Sequence, residues 1–439
     1  MKILSATFVF LCLFWINQDI AVPNEVAELN AGASSVLEKG QSLFLRYCSH
    51  CHGLQGKGDG YNAEFLEKEP AELSDPKFMA KKQDDQIFRV IQSGGIGVRK
   101  SHLMPVFGYT LTEEDIWSLV AYVRSLSGNN SPVHIPKQVN HSTLGVAHAT
   151  PKEIEGFSQW FSRGQEQGLI DQGEKLFRKK KSCLACHQVV ASGNNDDEEE
   201  EEGEEVEEEG TAEGGRVGPN LLRAGFLYPP EWLYVWLKNP QDIKPKTKMP
   251  NLGLDDGEEK AIIAYLASLK GGVEETPVEW LPYLAISGDA QNGERLFFDE
   301  KTQAGCVRCH TVNNKGGTEG PDLSFIGAAR TLPFLLESIL DPNKVIATGF
   351  AKVALLFKGK YEGKITLTGT RVNEDESSID LIDKNGRAHH ISKDRIRRVF
   401  KKPSPMAQGN FRKKLTVEEI RDILAFLKTL KPEVMAGLN

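Results

Sequence analysis

Two cysteines three positions apart, followed at once by a histidine, occur three times in this chain. The copies are Cys48-Ser-His-Cys51-His52, Cys183-Leu-Ala-Cys186-His187 and Cys306-Val-Arg-Cys309-His310. Six of the seven cysteines in 439 residues fall in these pairs. A disulfide framework would scatter its cysteines, and a single domain rarely reaches this length. The pattern therefore predicts three like units in series. With 40 % hydrophobic residues the chain has enough apolar side chain for several cores.

The repetition reaches beyond the cysteines. Before each pair stand a glycine and an aromatic at matching offsets: Gly40 and Phe44, Gly173 and Phe177, Gly293 and Phe297. After each pair come three segments that align without a gap, LTEEDIWSLVAYVRSL from Leu111, LDDGEEKAIIAYLASL from Leu254 and LTVEEIRDILAFLKTL from Leu415. Each has the spacing of an amphipathic helix, with acidic residues in the first turn where the helix dipole favours them. Between pair and helix each copy holds a methionine in a polar or proline-rich loop: Met104-Pro105, Met249-Pro250 and Pro405-Met406.

Residues three apart on a helix share a face, and the next one projects close by. Two sulfurs so placed can form thioethers with a flat macrocycle while the histidine reaches its metal, which is c-type haem attachment. A methionine from a later loop then supplies a sixth ligand, and His/Met ligation raises the reduction potential. Two other chemistries use paired cysteines. Structural zinc needs four ligands within reach, whereas each unit offers two cysteines and one adjacent histidine. A thiol redox pair sits beside a strand-helix unit, and none is visible in the pattern. Both leave the histidine unexplained.

These features resemble class I cytochromes c in three mono-haem copies. The first unit, with CHGLQGKGDG, MPVFG and LTEEDIWSLVAYVRSL, resembles small bacterial cytochromes c over nearly its whole length. The resemblance implies a mainly α fold of three cytochrome c-like helical domains and three covalently attached haem c groups. Cys48, Cys51, Cys183, Cys186, Cys306 and Cys309 would bind them, with His52, His187 and His310 as proximal iron ligands and Met104, Met249 and Met406 as distal ones. His102 and Met79 compete with Met104; His389 and His390 compete with Met406. The family also sets a proline near the proximal histidine, its carbonyl fixing the imidazole. Gly218-Pro219-Asn-Leu221 and Gly320-Pro321-Asp-Leu323 match, and the nearest counterpart in the first unit is Pro70-Ala-Glu-Leu73. His50, between two haem-bound cysteines, is expected at the surface beside the haem edge, and His134, His141 and His148 as solvated linker residues.

The expected division is a signal peptide at 1–21, cytochrome c domains at 34–128, 168–271 and 287–431, and a linker at 129–167. The signal reading rests on Lys2, an apolar run from Ile3 to Ile16 and a cleavage site near Ala21, with a retained anchor as the alternative. The run is too short for an ordinary membrane span. An acidic loop at 194–215 interrupts the second domain, its 196–209 stretch carrying twelve Asp and Glu, a density that repels itself and resists packing. The net charge is -8 and would be +4 without it. From Arg387 to Lys414 ten Lys and Arg face only Asp394. In an exported protein this is poor evidence for nucleic acid; it suits an acidic redox partner, haem propionates or the acidic loop.

Alternating runs VALLFK, KITLTGTRV, SIDLID, AHHIS and RIRRVF predict a β-rich insertion in the third domain at about 350–400. Together with GPDLSFIG, ESILDPNKVIATGF, SPM and LTVEEI, it is similar to a haem-binding domain at the ends of larger bacterial dehydrogenase-like proteins. The function implied is an exported electron carrier between a redox donor and acceptor in a bacterial periplasm, with membrane association only peripheral or through a retained N-terminal segment. The alternatives are a haem enzyme with an open iron in the third domain, and the cytochrome subunit of an exported alcohol or sugar dehydrogenase.

Overall fold

The computed structural model describes residues 24–436 except 129–132, 134, 137, 191–213, 272–275, 348, 375–377 and 384. The signal reading at 1–21, the acidic stretch at 196–209 and His134 lie outside the described residues. The fold is mainly α; among the described residues the third unit holds a five-stranded sheet and a two-stranded pairing of Thr311–Val312 with Lys315–Gly316.

The matched glycines and aromatics explain how each unit is built. In the first, helix Asn24–Tyr47 crosses helix Glu113–Leu126; in the second, Gln167–Lys179 crosses Asp256–Ser268; in the third, Ala290–Phe298 crosses Val417–Thr429. Gly40, Gly173 and Gly293 lie at the crossings, where a side-chain methyl would overlap the backbone carbonyls of Ser118, Ala261 and Asp422. One turn later Phe44, Phe177 and Phe297 are fully buried. Their rings meet Tyr122, Tyr265 and Phe426 at 5.3, 5.6 and 5.4 Å with interplanar angles of 53°, 55° and 55°. Tilted aromatic pairs at this distance contribute beyond the area they bury. Each second helix starts on a reciprocal side-chain cap, Thr112 with Asp115, Asp255 with Glu258 and Thr416 with Glu419, which satisfies amides left free at a helix start.

A five-stranded antiparallel sheet leaves the third unit after helix Leu332–Leu340 and rejoins it before Met406. Its strands are Lys352–Tyr361, Lys364–Glu374, Ser378–Asp383, Ala388–Ser392 and Ile396–Lys401, where the five alternating runs place them. Across the sheet the order is fourth, third, second, first, fifth. Its apolar residues form a core of their own around Val353, Leu355, Ile379, Leu381 and Ile391. Arg397, Arg398 and Lys401 stand exposed on the fifth strand, at one edge.

The units are fastened to one another. Within 129–167, helix Pro151–Phe161 buries Ile154 and Phe157 in the second core, while His141 and His148 reach Glu114 at 2.9 Å and Asp242 at 2.7 Å. The Arg46 guanidinium donates to the Pro245 carbonyl at 3.0 Å, and the Asn251 amide to Thr110 Oγ1 at 2.8 Å. Between second and third units, Arg223 holds both oxygens of the buried Glu337 at 3.0 and 2.9 Å, and Lys344 adds a contact at 2.7 Å. Ala328, Ala329 and Met435, from the far end of the chain, complete the second core. Among the described residues no helix is long and apolar enough to cross a membrane.

Gly293→Ala should cost about 1–3 kcal/mol through overpacking, because the roughly 1 kcal/mol that alanine gains in helix propensity offsets only part of the clash. Gly156→Ala, where a methyl meets nothing within 4 Å, should be neutral or stabilising. Thermal unfolding of the two variants checks both.

A second prediction concerns pH. Glu259, 1 % exposed, meets the Lys238 ammonium at 2.7 Å inside the second unit. Burial pushes its carboxyl up to about 7 against the opposing pull of Lys238. A carboxyl raised above its unfolded value of 4.5 contributes stability below that pH and loses it as pH rises toward 7. The melting temperature of the natural protein relative to Glu259→Gln should therefore fall across that window; a constant difference contradicts the assignment.

Candidate functional site

Each cysteine pair is wound into one tight turn. The His52, His187 and His310 amides donate to the Cys48, Cys183 and Cys306 carbonyls at 2.9, 2.9 and 3.0 Å. The second cysteine of each pair donates to the first at 3.1 Å. In the first unit the turn follows the helix directly. In the others the helix ends earlier, at Lys179 and Phe298, and Ser182 and Gly305, at φ 60° and 45°, lead into the turn.

None of the six sulfurs is paired in a disulfide. Burial pushes the Cys48 and Cys183 thiols up to about 12 and those of Cys51 and Cys306 to about 11, and it raises Cys186 as well. A redox-active or zinc-binding cysteine needs the opposite, a stabilised thiolate. Among the described residues no three His, Cys, Asp or Glu side chains converge as metal ligands. The thiol and zinc readings therefore find no support in the geometry.

The three imidazoles share one arrangement. His187 Nδ1 donates to the Pro219 carbonyl at 2.9 Å and His310 Nδ1 to the Pro321 carbonyl at 2.8 Å. The acceptor is a carbonyl, so the proton sits on Nδ1 and Nε2 keeps its lone pair. Burial lowers the proton affinity of both rings, and of His52, which holds them neutral. Methyl groups at Gly218 and Gly320 would lie 2.6 Å from His187 Nδ1 and 2.6 Å from His310 Cε1, so each ring rests against a residue that must lack a side chain.

In the first unit His52 Nδ1 donates to Ala71, at 3.0 Å, rather than to Pro70. Aligning Leu73 with Leu221 and Leu323 sets Ala71 opposite the two prolines and Pro70 opposite the glycines. The expected proline carbonyl is therefore corrected to an alanine carbonyl at the same structural position.

Taken together, a turn carrying two cysteine sulfurs outside any disulfide and a neutral imidazole with Nε2 free and Nδ1 anchored is a donor set that fits a covalently held haem, whose porphyrin brings four of the iron ligands itself.

The methionines differ in setting. Met104 packs against the first core, and its carbonyl accepts from Gly95 at 2.9 Å. Met249 packs against the second core, its Sδ accepting from the Trp236 indole N–H at 3.0 Å. Met406 lines a surface cleft of about 160 Å³ with Asp341, Asn343 and Phe411. Of the rivals, Met79 is buried among the first unit's helices with its carbonyl held by Arg124 at 2.7 Å. His102 lies 3.7 Å from Glu67. On the sheet, His389 and His390 engage Asp383 at 3.2 Å and Asp380 at 2.6 Å.

His50 departs from expectation. It is 8 % exposed, its Nδ1 has no partner, and burial with Lys248 nearby lowers its proton affinity to about 4. Asn62 and Trp236 carry no motif and are found only in the structure.

The paired-helix fold and the anchored imidazoles define a haem-binding electron-transfer protein. The family model described as "Cytochrome C oxidase, cbb3-type, subunit III" matches residues 35–123, and "Cytochrome c" matches 170–270 and 290–378. Cytochrome c of Trypanosoma brucei brucei is 39 % identical over 64 residues, 14 % of this chain and 69 % of that protein. The chain belongs to the cytochrome c family.

Cytochrome c2 of Rhodomicrobium vannielii is 26 % identical over 113 residues, 26 % of this chain and 88 % of that protein. Cytochrome c oxidase subunit 2 of Bacillus subtilis is 33 % identical over 138 residues, 28 % of this chain. The match spans only 34 % of that subunit's length. Cytochrome c domains imply covalently bound haem c.

Gly218→Ala should displace the His187 ring and break its bond to Pro219. The His187 Nδ1 proton resonance reports this: it should move toward solvent-exchanging values, while the corresponding proton of His310 stays protected.

Proposed function

We propose that this chain is an exported, three-haem electron carrier that takes single electrons from one redox protein and delivers them to another in a bacterial periplasm. The threefold recurrence of a carbonyl-anchored imidazole over a two-cysteine turn carries this reading. In it, Cys48 and Cys51, Cys183 and Cys186, and Cys306 and Cys309 hold one haem each by thioethers. His52, His187 and His310 are the proximal iron ligands, and Met104, Met249 and Met406 the distal ones. The units correspond to residues 34–128, 168–271 and 287–431, and 1–21 to a signal peptide.

Bound iron would supply reversible one-electron chemistry. The protein's part is orientation and tuning. Ala71, Pro219 and Pro321 fix the imidazole planes and raise their donor strength. The buried turns exclude water, which favours the less charged reduced state. The Trp236 N–H draws electron density from the Met249 sulfur and so favours reduction at the second site. The exposed Arg397, Arg398 and Lys401 suit an acidic partner protein.

A second reading rests on one observation. Met406 lines an open cleft beside Asn343 and Arg412, whereas Met104 and Met249 pack against their units' cores, which favours a displaceable sixth position in the third unit. Intact mass and reduced-minus-oxidised spectra should give three haems per chain; two or fewer overturns the proposal. Met406→Ala should convert one haem to a high-spin, carbon monoxide-binding form. If the natural protein already binds carbon monoxide and the substitution changes nothing, the third unit has an open iron and Met406 is not its ligand.

A further inference from the structure

We propose that Asn62 is the electronic joint between the first and second haem sites, its carboxamide linking the Cys51 sulfur to the backbone beside Cys186. The inference rests on the reading that both cysteines carry haem. Asn62 is fully buried, and nothing in the sequence marks it. One Nδ2–H donates to Cys51 Sγ at 3.2 Å and the other to the Ala185 carbonyl at 2.7 Å, while Oδ1 accepts from the Arg216 amide at 2.7 Å. A buried carboxamide must satisfy its hydrogen-bonding groups, and here all of its partners lie either on a haem-bearing turn or on the chain packed over one.

The surroundings hold the amide in that pose. A methyl at Gly215 would come within 2.5 Å of Asn62 Oδ1, so the second unit's chain closes directly over it. The Arg216 guanidinium stacks 4.0 Å over the Phe65 ring, three residues along from Asn62.

Cys51 and Cys186 are each the second cysteine of their pair, so the same edge of each haem would face the joint. The path runs from Cys51 Sγ through the Asn62 carboxamide and the Ala185 peptide to Cys186, crossing two hydrogen bonds and no void. With haem held at both turns, this path would couple them for one-electron exchange, one site being oxidised as the other is reduced. No proton moves, because a carboxamide neither gains nor loses one in this range.

Between second and third units the contacts found are of another kind, the Arg223–Glu337 pair and Thr331 on the carbonyls of Phe226 and Leu227. None of them touches a cysteine, which makes that junction the internal control.

The test is exchange NMR on partly reduced holoprotein, reading electron exchange between pairs of haems from their methyl resonances, in the natural protein and in Asn62→Leu. First-to-second exchange should slow by an order of magnitude or more while second-to-third exchange is unchanged. Unchanged first-to-second exchange with all haems present, or equal slowing at both junctions, overturns the proposal. A haem count below two at Cys51 and Cys186 means instead that the three-haem reading has failed. If the leucine variant does not mature, the fully reduced natural protein decides: the Asn62 carboxamide protons should show cross-relaxation to thioether protons of both haems, and its absence defeats the assignment.

Discussion

The contact on which each unit depends is a helix crossing so close that only glycine fits. At Gly40, Gly173 and Gly293 the backbone of one helix rests on a carbonyl of the other. That approach lets Phe44, Phe177 and Phe297 reach across to Tyr122, Tyr265 and Phe426. The cysteine turn follows the first helix directly in the first unit, after residues 180–182 in the second and after the 299–305 loop in the third. The crossing therefore sets where the two thiols and the imidazole stand relative to the rest of the core. Interiors this dense transmit small displacements rather than absorbing them, so the position of each histidine is fixed from the helix pair outward.

Upon that frame the chain uses uncharged groups at its sites. The imidazoles are neutral, and their anchors are backbone carbonyls rather than carboxylates. Carbonyls orient a ring without adding a charge that would follow pH, and a buried carboxylate would need a partner to offset its desolvation. The ionic contacts stand elsewhere: Glu337 between units, Glu259 with Lys238 in the helix framework, and the basic edge of the sheet. Structural electrostatics and site electrostatics are thereby kept apart.

Much of this was legible from residue order. The cysteine pairs, the glycine and aromatic offsets, the three closing helices and the five strands all have periodic or local signatures, and local signatures are what sequence patterns record. Ala71 was half legible: its place follows once Leu73 is set against Leu221 and Leu323, but the search for a proline led to Pro70 instead. Asn62 was not legible, because its partners Ala185 and Arg216 belong to the second unit and lie more than a hundred positions away; the burial of His50 has no local signature either. Trp236 reads as one more aromatic on an apolar helix, and only the fold brings its N–H to the Met249 sulfur.

Met435 lies in the second core although it comes after the third unit's closing helix. It is synthesised after every helix of the second unit. The second unit's cysteines thus emerge well before the core around them can be finished, while the third unit's helices are complete before Met435 appears. Maturation order and chain order differ here: the second unit's core takes in a residue that follows the third unit's closing helix, which leaves the second cysteine turn an interval in which its sulfurs are made but not yet fully enclosed.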